Sequence, residues 1–308
     1  MKTAILLLSN SCLRKVYPAL MALLLVSGVA VAQDDSTVVQ TEVQPKVDKP
    51  VKNTFESGWI IDNQTVMVPI KGTFQMDIMH RFGTVNRGYD DFYGLFAPSN
   101  IRLGFNYTPI NNLMVGASLT KQNMTWEGYL KYAILKQTQS GGMPVSITYF
   151  GDIAYDSRAK DNFVYRSDRF SYFNQLIIAR KVTNAFSVQV APSHTHINSV
   201  YGYFAEPGVV KGEMKHDHFA VAVSGRLKVT ESLALIGNYD QPLTQHPTNN
   251  PTPNISLGIE ASTSAHAFQI FAGNYASITP QRNNYYNRND FTERQFLIGF
   301  NITRLWNW

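Results

Sequence analysis

Cysteine is all but missing: the single thiol, Cys12, lies close to the N-terminus, and none occurs from Gln33 to Trp308. That excludes disulfide staples, cysteine-ligated metals and cysteine nucleophiles from this long stretch. Charge is sparse as well. Asp, Glu, Lys and Arg make up 16% of the chain, well under the usual quarter. Beyond the N-terminus no run approaches the roughly eighteen uninterrupted apolar residues that a helical membrane span needs. Nor does the chain carry a phosphate-binding glycine loop, a dinucleotide fingerprint or a zinc-protease helix motif, so energy-coupled functions have no support.

The N-terminus reads as a secretory signal. Lys2, Arg14 and Lys15 supply positive charge, Ala19 to Val29 is uncharged and apolar, and Ala30-Val31-Ala32 fits a small-x-small cleavage site. The residues before Cys12, Leu8-Ser9-Asn10-Ser11, make a poor lipoprotein box. Cleavage after residue 32 removes three positive charges and no negative ones, so the formal net charge falls from +5 to +2. Nucleic-acid binding loses its main support with them. Residues 33–57 are polar, with Pro45 and Pro50 as breakers, and are expected to form a flexible periplasmic leader ahead of a barrel spanning 58–308. The segment GWIIDNQTVMVP (58–69) fits either an edge strand or a piece tucked into the periplasmic mouth.

Aromatics are plentiful at 12%, and from Lys71 onward apolar residues recur at every second position. Examples are Phe74, Met76 and Ile78; Ile101, Leu103, Phe105 and Tyr107; and Phe219, Val221 and Val223. Period two means strands with one apolar and one polar face. About twelve such strands can be counted, each near the length needed to cross a bilayer at a tilt. Tight turns such as Pro109–Asn112, Val182–Asn184 and Thr230–Ser232 alternate with long connections such as 84–100, 198–216 and 274–293. The reading is an all-β transmembrane antiparallel β-barrel of about twelve strands, both termini periplasmic and the long loops outside.

The last strand, RQFLIGFNITRLWNW (294–308), sets Phe296, Ile298, Phe300 and Ile302 on one face and ends on an aromatic. Such a strand resembles the signal by which barrel-assembly machinery selects its clients. Other strings add to it: MHRFGTVNRGYDDFYGLFAPSNIRLGFNYTPINNLMVG (79–116), TWEGYLKYAILKQ (125–137), SVQVAPSHTHIN (187–198) and AHAFQIFAGN (265–274). Together they resemble an uncharacterised outer-membrane β-barrel family of Gram-negative bacteria, a membrane-bound beta-barrel domain of unknown function. The resemblance implies fold and bacterial outer-membrane location over roughly residues 55–308 and transfers no activity.

If the apolar rows face lipid, the opposite rows line the lumen, placing Asp77, Arg81, Arg102, Glu127, Lys131, Asp152, Arg226 and Glu260 inside. Such residues either select a solute, as charged rings do, or pair into a network that fills the barrel. His80-Arg81-Phe82-Gly83 at the outer rim reads as a strand end closed by Gly83, with contact between Arg81 and lipid phosphates as the alternative. His194 and His196 share a strand face, and with His216 and His218 they form the one weak metal candidate. No cofactor is implied. The expected partners are outer-membrane lipids, the barrel-assembly machinery through the C-terminal strand, a small solute if the lumen is open, and no nucleic acid. The sequence points to a non-enzymatic barrel, a small-solute channel or a structural surface barrel. The rival class is a lipid-modifying or proteolytic outer-membrane enzyme with a rim histidine, for which Ser193 beside His194, or His80 with Asp90 and Asp91, are the residues to inspect.

Overall fold

The computed structural model describes residues 48–307. The signal, most of the leader and Trp308 lie outside the described residues. A short hairpin, β1 (Trp59–Ile60) and β2 (Asn63–Gln64), precedes the barrel. The wall begins with β3 (Thr73–Thr84), β4 (Asn100–Ile110), β5 (Leu113–Thr120), β6 (Thr125–Leu135), β7 (Ser146–Asp156), β8 (Phe170–Lys181) and β9 (Phe186–Ile197). A second small hairpin, β10 (Gly202–Glu206) and β11 (Val209–Gly212), rises from the loop that follows. The wall resumes with β12 (Asp217–Lys228), β13 (Leu233–Pro242), β14 (Asn254–Ser262), β15 (His266–Gly273) and β16 (Leu297–Asn307). One short helix, α1 (Pro280–Tyr286), interrupts the last long loop.

Twelve strands close into an antiparallel barrel, each paired with its neighbours in sequence. The terminal strand completes the ring, β16 lying along β3 from Leu297 opposite Thr84 to Asn307 opposite Thr73. The short connections gather at one end; Asn112, at φ +71, makes the tight turn between β4 and β5. The long connections gather at the other. The described N-terminal residues and the end of β16 both lie at the short-turn end.

The two faces are reversed relative to a water-soluble sandwich. Along β6, Thr125, Glu127, Tyr129, Lys131 and Ala133 are buried, while Trp126, Leu130, Tyr132 and Ile134 are exposed on the outer face. On β14 and β15 the outermost side chains include Leu257, 68% exposed, and Ile270, 65% exposed. An apolar belt of this extent is stable only against lipid.

Candidate functional site

The lumen is not empty. Residues from Thr54 to Val66 run inside the barrel, and Phe55, Trp59, Ile60 and Ile61 are each at most 1% exposed. The expected leader boundary at 57 falls inside this run, because Thr54, Phe55 and Ser57 are already buried. Of the two placements considered for 58–69, neither describes it: β1 and β2 pair only with each other, and Asp62 reaches far enough into the barrel to bond the loop at the long-loop end. The segment packs an apolar cluster in which Phe55, Ile60, Ile61 and Val66 meet Met114, Tyr129, Phe150, Phe173 and Phe271 of the wall. Before it enters, the chain straps across the short-turn end. Pro50 bridges Thr138, and Asp48 accepts hydrogen bonds from the Ser140 side chain and backbone. Side-chain hydrogen bonds from Ser140 and Thr138 hold the Asp48 carboxyl below its usual range.

A backbone in so short a hairpin cannot satisfy itself, so the wall does it. Lys131 Nζ donates to the Gly58 carbonyl at 3.1 Å and to Gln64 Oε1 at 2.9 Å. Gln269 clasps the hairpin from β15, donating to the Trp59 carbonyl at 2.9 Å and accepting from the Ile61 amide at 3.1 Å. Thr148 donates to the Val66 carbonyl, Gln189 to that of Gln64, and Asn301 to that of Ile61. Gln175 donates to Asn63 Oδ1 at 3.0 Å, and Asn63 Nδ2 donates to Asp240 at 2.8 Å. Asp77 accepts Trp59 Nε1 at 3.1 Å together with donors from Gln75, Asn106 and Thr303.

All eight charged residues read as lumen-lining lie on the inner face and are buried. They do not form one ring. Arg102 pairs with Glu127 at 2.9 Å, and its guanidinium lies 4.9 Å from the Trp59 ring and 5.3 Å from that of Tyr129. Arg226 pairs with Glu260 at 2.7 Å, and Gln269 bonds the second oxygen of that carboxylate. Arg81 points inward to Asn301 at 2.9 Å and lies 4.5 Å over the Phe271 ring. It is fully buried on the inner face, which sets aside the alternative of contact with lipid phosphate at the rim. The period of two turns position 81 inside, with positions 75, 77 and 79. Inner-face glycines make room for the aromatic shelves. A Cβ at Gly116 would fall 2.3 Å from Tyr129, and one at Gly299 would fall 2.7 Å from Phe271.

A second seal comes from the long-loop end. The loop carrying α1 folds inward, where Tyr275 Oη donates to Asp62 Oδ1 at 2.7 Å and Asn283 donates to Asp62 Oδ2. Asn238 of β13 adds a bond to Asp62 at 3.0 Å, and Gln281 bonds Asp152 of β7. Asp62, at the tip of the N-terminal hairpin, thus joins the two seals. The cavity left between Asp62, Gln175 and Asn284 is about 10 Å³, room for one water. Asp62, Asn63, Asp240, Gln269 and Asn283 are not among the residues that sequence reasoning singles out. For Asp62 and Asn63 the one legible signal is the Asp-Asn-Gln-Thr run directly after Trp59-Ile60-Ile61.

The four histidines do not converge. His194 and His196 lie on the outer face of β9, and each meets Asp217 Oδ1, at 2.9 and 2.8 Å. His218 follows Asp217 by one residue, so it turns to the inner face and meets His246 at 2.9 Å. Among the described residues no group of three or more metal-ligating side chains is placed to hold an ion. The enzyme residues fare no better. Ser193 faces inward and His194 outward, His80 stacks on Phe300 at 5.1 Å, and Asp91 accepts the Gly94 amide.

A profile described as a membrane bound beta barrel domain (DUF5777) matches residues 55–306, and the chain belongs to that family. Its start at Phe55 takes in the luminal segment from its first buried apolar residue. No curated protein matches the chain significantly. Among solved structures, the NanC porin is 8% identical over 76% of this chain and 99% of its own, at a TM-score of 0.44. The KdgM porin is 10% identical over 75% and 98%, at 0.43. An outer membrane channel from Pseudomonas putida F1 is 10% identical over 78% and 97%, at 0.44. Likeness at this level carries no argument about solute or mechanism. With its apolar belt and closed wall, this family member is an outer-membrane barrel.

Proposed function

We propose that this membrane-bound barrel is a non-enzymatic outer-membrane protein held closed at rest, with both termini periplasmic and the long loops outside. The observation that carries the reading is the buried segment from Thr54 to Val66, bonded to side chains from most of the wall. A twelve-stranded barrel is wide enough to need filling or to conduct. Here the polar inner rows spend their donors and acceptors on the segment rather than on water. The luminal charges accordingly act as a structural network, and a small solute passes only after the N-terminal segment withdraws. Removal of residues 1–32 as a signal frees that segment to enter from the periplasm, and the C-terminal strand engages the assembly machinery. Planar-bilayer recording tests the reading. Intact protein lacking residues 1–32 should be electrically silent, and deletion of residues 54–66 should give discrete conductance steps. Steps of equal size in both would overturn it.

A further inference from the structure

Above the second seal, the inner rim of β6, β7 and β9 and the loops around it enclose an open cleft of about 90 Å³. Thr125, Ala154 and Ile197, which line it, are inner-face residues, so the cleft opens into the mouth of the barrel and away from lipid. Water-sized accounting gives room for roughly six waters, or for a small ring bearing one ionised group. Three guanidiniums border it, and two are occupied. Arg158 is held by Asp156 at 2.8 Å, and Arg169 donates to the carbonyls of Asp156 and Arg158 at 2.8 and 2.7 Å. The other acid, Asp168, is taken by the Val164 and Tyr165 amides.

Arg282 is different. Its guanidinium lies 4.5 Å over the ring of Tyr286, its i+4 neighbour on α1, and its buried Nε has no hydrogen-bond partner. Beside it Thr279, fully buried, has a hydroxyl oxygen that is likewise unpartnered. A buried polar group left unpaired costs free energy, so two of them on residues that line one cleft suit a ligand that brings an acceptor. The surroundings add flat apolar surface from Phe163, Tyr201 and Tyr286. Planar guanidinium favours a carboxylate-like oxyanion, and the rings favour a planar body next to it.

We propose that this mouth cleft binds a small soluble solute carrying an oxyanion beside a planar ring, with Arg282 and the Thr279 hydroxyl as its anion-binding pair. No residue lining the cleft belongs to the N-terminal segment, so binding is read by calorimetry and conductance by bilayer recording, and either can fail without the other. The probe is benzoate, titrated calorimetrically into folded full-length protein in detergent, with benzyl alcohol as the ring lacking the charge. Benzoate should bind saturably, and Arg282→Gln should weaken it at least tenfold. Thr279→Val, which removes a hydroxyl with no partner in the fold, should weaken it several-fold while heat-dependent gel migration stays that of a folded barrel. Arg304→Gln, at the opposite end, should change nothing. No saturable heat, equal binding by Arg282→Gln, or equal binding of benzyl alcohol would each overturn the proposal.

Discussion

Trp59→Ala should loosen the luminal segment without unfolding the barrel. Trp59 is 1% exposed; its ring meets Phe150 edge-on at 6.4 Å and the Arg102 guanidinium at 4.9 Å, and its Nε1 donates to Asp77. Truncating a buried aromatic of this size costs about 3–5 kcal/mol. Asp77 keeps its donors from Gln75, Asn106 and Thr303, so little is added for a stranded carboxylate. The loss falls on the equilibrium between seated and withdrawn segment, since the wall's own ladder is untouched. At 1.36 kcal/mol per factor of ten, the withdrawn population rises roughly 10²- to 10⁴-fold. The dearth of cysteine supplies the assay. Val66→Cys places a single thiol at a buried position after signal removal, and its reaction with a charged maleimide reports withdrawal. Adding Trp59→Ala should speed labelling by two orders of magnitude or more. If the thiol at position 66 labels as fast as one placed at exposed Ser140, before Trp59 is touched, the seated segment is refuted; no acceleration would refute the energetic reasoning.

Arg226→Met alone should destabilise the barrel by about 3–5 kcal/mol, because Glu260 is left buried and charged, whereas Arg226→Met with Glu260→Met should recover most of it. Gel-shift melting of the three proteins checks this. Gly116→Ala should displace the Tyr129 ring and with it the shelf under Arg102, read as faster labelling of the Val66→Cys protein. Burial, with Lys215 and Arg288 nearby, pushes the His246 imidazole below its ordinary range. The folded state therefore favours the neutral ring, and its contribution is full above about pH 6.5 and lost as pH falls below that. Tryptic cleavage after Lys215, whose amide donates to His246 at 2.9 Å, should rise as the medium is acidified from neutral and stay flat in His246→Gln.

The wall was legible because period two writes itself along each strand. Phe74, Met76 and Ile78 against Gln75 and Asp77 need no partner to declare their faces. The inward direction of Arg102, Glu127, Lys131 and Glu260 follows from the same alternation. Which of them pair does not, since Arg102 meets Glu127 only through the register across β4, β5 and β6. The luminal segment was illegible for a different reason. A chain enclosed on all sides has no exposed face, so Trp59-Ile60-Ile61 and Asp62-Asn63-Gln64 show no period at all. His218 illustrates the limit of local spacing: it directly follows Asp217 on β12, yet its partner, His246, sits in the loop after β13.

The central claim is that residues 54–66 occupy the lumen, and a cross-link tests it most directly. Asn63 and Gln175 are hydrogen-bonded at 3.0 Å although 112 positions apart. The test protein carries Asn63→Cys with Gln175→Cys, and the control carries Asn63→Cys with a cysteine in place of outward-facing Phe219. Mild oxidation or a short bifunctional maleimide is applied to each folded protein. A link between positions 63 and 175, found by mass spectrometry after digestion and missing from the control, is the predicted result. Free alkylation of the thiol at position 63, with no link to position 175, would place the segment outside the barrel and contradict the claim.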